Sequence, residues 1–238
     1  IGWSRMPLHD TSGIPVPGRW GRNKRWEYWN VMTPTHIVAL TVSSIDYAAV
    51  HEVWALDRES GRTWGADATV VPARGVELPG SLGDGPARAR AKNLAIDLDE
   101  VDGGTRLRAR TRDVSFDVVA ELPPGHERLA VVVPAGSSWA VLDHGRGRWP
   151  YDVRWNWGAG SGESHGRVVG IQVGGRWTVG TGSTENAVLV DGRLHHLPDE
   201  PVWDYDLADP HRLWRVTGGG LDATFEPTRG SETAEIPA

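Results

Sequence analysis

GRGRWPYDVRWNWGAGSG (145–162), GRVVGIQVGGRWTVGTGSTEN (166–186) and AVLVDGRLHHL (187–197) are the runs whose reading decides the fold. Each consists of short extended segments punctuated by glycine, and the last is a hairpin with Asp191-Gly192 at its tip, the dipeptide that a tight two-residue turn favours. Four of the chain's 13 tryptophans, Trp149, Trp155, Trp157 and Trp177, fall here. In Tyr151–Trp157 the odd positions Tyr151, Val153, Trp155 and Trp157 share one strand face, and Asp152, Arg154 and Asn156 share the other. One face is aromatic and the other hydrogen-bonding.

Upstream, KRWEYWNVM (24–32) alternates in the same way, with Trp26, Tyr28 and Asn30 on one face and Glu27, Trp29 and Val31 on the other. His36–Ser43, Ala48–Leu56 and Thr63–Val71 follow as β-branched or alternating runs, so an antiparallel meander is expected. Pro72–Ala91, rich in Gly, Pro and Arg, reads as a loop, and the LDHGRGRWP segment that begins at Leu142 reads as a turn. Asn93–Asp99 and Thr105–Thr111 answer one another across Asp102-Gly103-Gly104, the arginines of the second facing water. Val114–Leu122, Leu129–Val133, Val168–Val173, Arg176–Val179, Trp214–Thr217 and Leu221–Phe225 complete an all-β series. About fourteen short strands with tight connections point to a barrel or a pair of packed sheets, because open edges invite aggregation.

The 238 residues suffice for one large all-β domain or two small ones. Thirty Gly and 16 Pro, spread along the whole length, leave little room for long helices. A net charge of -6 argues against a grip on phosphate backbones, so nucleic acid is not expected as a partner. With no cysteine there is neither disulfide nor thiolate metal site. No apolar run is long enough to span a membrane and no signal segment is visible, so a cytoplasmic location is expected. Oligomeric state is left open.

GRNKRWEYWNV near the start, AVLDHGRGRWPYDVRWNWGAGSG in the middle and GGRWTVGTGSTENAVLVDGRLHHL after it resemble the DUF2804 family of uncharacterised bacterial proteins. That family is grouped with the calycin superfamily, whose lipocalin-like barrels include carotenoid 1,2-hydratase. The resemblance implies two lipocalin-like β-barrel units, expected at 1–134 and 135–238. Family members look longer, with additional strands between the segments matching Val131–Pro134 and WAVLDHGRG, and again after Thr224–Pro227. Here Ala135–Ser138 alone bridge the first gap.

The candidate ligand-binding residues are Trp26, Glu27, Trp29, Trp149, Tyr151, Arg154, Trp155, Asn156, Trp157, Trp177 and Asn186. Their rings either line a cavity for a hydrophobic or amphipathic small molecule or fill a core. Asp143 is the candidate general acid, because a carboxyl among indoles has its pKa raised by desolvation. Glu185, after the glycines of GTGSTEN, is the second candidate catalytic residue. That segment lacks the lysine of a phosphate loop, and His195 and His196, adjacent on a strand, point to opposite faces, so neither nucleotide nor metal is expected. Three functions stay open: cofactor-free acid catalysis of the hydratase, isomerase or cyclase kind; a carrier without chemistry; and a carbohydrate-active β-protein using a carboxylate pair.

Overall fold

The computed structural model describes residues 5–6, 20–127, 131–135, 138–148, 156–174 and 184–227. Every regular element among them is a β-strand. β1 (Asn23–Met32), β2 (His36–Ser44), β3 (Ala49–Asp57) and β4 (Thr63–Val70) form the expected meander. β10 (Val131–Ala135) and β11 (Ser138–Arg148) join its open side, giving a six-stranded antiparallel sheet ordered β10-β11-β1-β2-β3-β4. This ladder runs past residue 134, where the two units were expected to part.

β5 (Val76–Glu77), β6 (Ala87–Arg90), β7 (Leu94–Val101), β8 (Gly104–Thr111) and β9 (Ser115–Glu121) make a five-stranded sheet in sequence order. β12 (Trp157–Ser164), β13 (Arg167–Gly174), β14 (Ala187–Val190) and β15 (Arg193–His196) make a four-stranded one, and β16 (Val202–Asp204), β17 (Trp214–Gly218) and β18 (Leu221–Phe225) a three-stranded one. The Asp191-Gly192 hairpin forms as expected, both residues having positive φ, 48° and 80°.

The main core lies between the six- and five-stranded sheets. Trp29, Val31, Leu40, Val42 and Val53 from one meet Ala89, Ile96, Leu98 and Leu107 from the other. Full burial of each large apolar side chain stabilises by about 1.5–3 kcal/mol. Period-2 alternation keeps the opposite face of the five-stranded sheet polar, where Arg88 bridges Asp97 and Asp99 at 3.2 and 2.7 Å.

Two expectations are corrected. The stretch from Leu142 to Arg148, despite its two glycines, is no turn: it is the second half of β11, in continuous register with β1. The small-residue run WGAGSGES is strand β12, which turns into β13 at His165-Gly166, where φ is 52° and 71°. Inside the expected loop 72–91, the ARAR segment pairs as β6, with Ala87 and Ala89 buried and both arginines outward.

Candidate functional site

Strand β1 has a different chemistry on each face. Asn23, Glu27, Trp29 and Val31 are buried on the face turned to the five-stranded sheet. Trp26, Tyr28, Asn30 and Met32 occupy the other face and are half-buried. Trp26 and Trp29 therefore cannot line one cavity, although both are candidates.

The second face carries the candidate acid. Asp143 pairs with Tyr28, Tyr28 with Thr41, Thr41 with Glu52 and Glu52 with Asp67, so these five side chains form one row across β11, β1, β2, β3 and β4. Exposure falls along the row, from exposed Asp67 and Glu52 to half-buried Thr41, Tyr28 and Asp143. Above the buried end sit β12 and the apolar cluster Ala187, Leu189 and Leu194. Trp157 meets the Tyr28 ring edge-on at 6.2 Å, and Met32 packs on the same cluster.

Trp26 Nε1 donates to Asp143 Oδ2 at 3.0 Å. The indole can lie there because residue 145, opposite Trp26, is glycine: a Cβ at Gly145 would fall 2.0 Å from Trp26 Cζ2. Burial pushes the Asp143 carboxyl above its ordinary pKa, partly offset by the indole bond and the nearby His144. Burial likewise raises the Tyr28 phenol, which also feels Glu52 and Asp143, while its hydroxyl accepts from Asn30 Nδ2 at 3.2 Å. Glu52 is raised by desolvation and by Asp67; being exposed at residue level, it is screened, and its shift carries less weight than that of Asp143. This arrangement favours the neutral forms of both the carboxyl and the phenol. Tyr28 and Glu52 are additions to the candidate set, legible only once the strand register is known.

The opposite face holds a smaller polar cluster. Trp29 Nε1 donates to Glu27 Oε1 at 3.0 Å, and His144 Nδ1 lies 3.7 Å from Glu27 Oε2. His51, two strands away in the same row, is 0% exposed, and neither ring nitrogen has a hydrogen-bond partner. Burial lowers its pKa, keeping the ring neutral. Glu27 and Trp29 thus belong to the core side and are satisfied there by one another.

Asn186 is fully buried, and its amide is engaged by the backbone: Oδ1 accepts from Gly174 N at 2.8 Å and Nδ2 donates to Asp199 O at 3.4 Å. Glu185 is half-buried, its carbonyl accepting from Gln172 Nε2 at 3.3 Å. Asn156 precedes β12 and is half-buried. Trp149, Tyr151, Arg154, Trp155 and Trp177 lie outside the described residues. Among the described residues, no group of three or more His, Asp or Glu side chains is placed to hold a metal ion. No helix among them is long and apolar enough to cross a membrane.

Residues 1–137 and 134–235 both match one family model, described as Domain of unknown function (DUF2804). The chain belongs to the DUF2804 family. The two matched segments of this DUF2804 protein overlap at 134–137, in the β10–β11 connection where longer members are expected to carry extra strands. No curated protein matches the chain. Among solved structures it is similar to the crystal structure of kievitone hydratase from Nectria haematococca, at 10% identity and a TM-score of 0.45, with 93% of this chain and 83% of that chain covered.

Proposed function

We propose that an apolar or amphipathic small molecule binds between the Tyr28 face of the six-stranded sheet and strand β12, and that Asp143 is a general acid acting on it without a cofactor. The observation carrying this reading is the Asp143 carboxyl itself: its pKa is raised by burial, it is oriented by the Trp26 indole at 3.0 Å, and it is placed in register with the half-buried Tyr28 phenol. In a hydration, protonated Asp143 gives its proton to an alkene carbon, water adds to the carbon left electron-poor, and the proton released by that water returns to the carboxylate. Isomerisation or cyclisation follows when a neighbouring C–H or alkene takes the place of water. Tyr28, kept neutral, orients the attacking oxygen.

The aromatic walls supply apolar contact, and the few polar groups fix orientation. We read this site as part of a lipocalin-like architecture of two units, around 1–134 and 135–238, with β11 shared between them. Asp143 and Glu52 cannot serve as a sugar-cleaving carboxylate pair: they are three strands apart, roughly 14 Å at about 4.8 Å per strand, beyond the separation of such pairs.

Native mass spectrometry of protein taken directly from its own cells tests the reading. A bound apolar molecule that accumulates unconverted on Asp143→Asn supports acid catalysis. The same molecule, unaltered on both proteins, would make the chain a carrier.

A further inference from the structure

The four-stranded sheet has a second face, turned away from Tyr28. Ladder pairing puts Val169 opposite Val190 and Val190 opposite Arg193, so Arg167, Val190, Arg193 and His195 share that face. With Arg5, Glu127 and Leu194 they line an open pocket of about 670 Å³. Residues distant in sequence meet here: Arg5, Glu127 in the link after β9, Arg167 on β13 and the β14–β15 hairpin. The link is clasped to the hairpin by Glu127 N donating to Gly192 O at 3.0 Å and by Glu127 Oε2 accepting from Leu194 N at 2.7 Å.

We propose that this pocket binds the oxyanion group of a small molecule, a phosphate or a carboxylate, with Arg193 as its principal ligand. The pocket's negative charges are already engaged. Glu127 accepts from the Leu194 amide and from Arg5 Nε at 3.1 Å, and Asp191 from Arg167 Nε at 2.7 Å and Val168 N at 2.9 Å. Both carboxyls are held below their ordinary pKa by these bonds. The Arg193 side chain makes no hydrogen bond or ion pair among the described residues, its charge reaching Glu127 only through space, and Arg167 uses only Nε; both guanidiniums line a concavity to which Val190 adds an apolar wall. On a chain of net charge -6, such a concentration of guanidinium is a local reversal of sign. Planar forks match the geometry of phosphate and carboxylate oxygens.

The test is calorimetric titration of the full chain with inorganic phosphate and, in a separate arm, with succinate, at constant ionic strength, beside the Arg193→Gln variant and an Arg106→Gln control on the five-stranded sheet. Arg193 is exposed, so its replacement leaves the fold intact. Saturable binding of either anion, weakened about tenfold or more by Arg193→Gln and unchanged by Arg106→Gln, is the expected result, a single lost bidentate contact being worth about that factor. The arm that binds tighter identifies the anion class. Equal binding by Arg193→Gln and wild type, or no saturable binding of either anion by wild type, overturns the proposal.

Discussion

Trp26 and Asp143, 117 residues apart, are joined by a 3.0 Å hydrogen bond that exists because Gly145 leaves room for the indole. Gly145→Ala tests this dependence. The new methyl overlaps Cζ2 of Trp26, so the indole must swing away and release the carboxyl. Overpacking of this kind costs about 1–3 kcal/mol. Denaturant unfolding should show that loss, together with a changed tryptophan emission; wild-type stability and emission would mean that Trp26 does not lie over the glycine.

Asp143 and His51 should drive stability in opposite directions with pH. Burial raises the Asp143 pKa, so the stabilisation this group gives is complete below its ordinary value of 3.8 and is lost as pH rises through the raised value. Asp143→Asn keeps an oxygen acceptor for Trp26 and removes the buried charge. Its Tm at neutral pH should exceed that of wild type, and the gain should vanish in acid. A lower Tm at both pH values would contradict the assignment.

His51 is lowered by burial, so its contribution is complete above pH 6.5 and drains away as pH falls below it. His51→Leu replaces two unpartnered nitrogens with an apolar side chain. Between about pH 7.5 and pH 5.5 the variant should lose less Tm than wild type. An identical pH dependence would remove His51 as the acid-sensitive group.

Trp29→Phe deletes the donor to Glu27 while keeping most of the ring. Glu27 is 3% exposed, and leaving its carboxylate short of a partner should cost about 1–3 kcal/mol. Trp29→Phe combined with Glu27→Leu should recover part of that loss, as double-mutant denaturation curves would show.

Much of this architecture was legible in the sequence because the period is 2 and the turns are chemically explicit. KRWEYWNVM assigned each aromatic to its observed face, and Asp191-Gly192 marked its hairpin. The glycines misled. Gly145 sits within a strand because Trp26 lies against it, 2.0 Å from a notional Cβ, and nothing local announces a partner that distant. Pairing between β1 and β11 was equally hidden, which is why Asp143 was legible as a buried acid but Tyr28 and Glu52 were not legible as its row-mates. Grouping Trp26 with Trp29 overlooked the alternation that separates them.

The ligand site proposed on the Tyr28 face is tested most directly by photolabelling. A neutral apolar diazirine probe is photolysed with the full chain and mapped by peptide mass spectrometry, for wild type and for Trp157→Ala. Label on the peptides of Asn23–Met32, Ser138–Arg148 and Trp157–Ser164, diminished in Trp157→Ala, is the predicted result. Label confined to the exposed side chains Val202, Leu207 and Leu213, and indifferent to Trp157, would contradict the account.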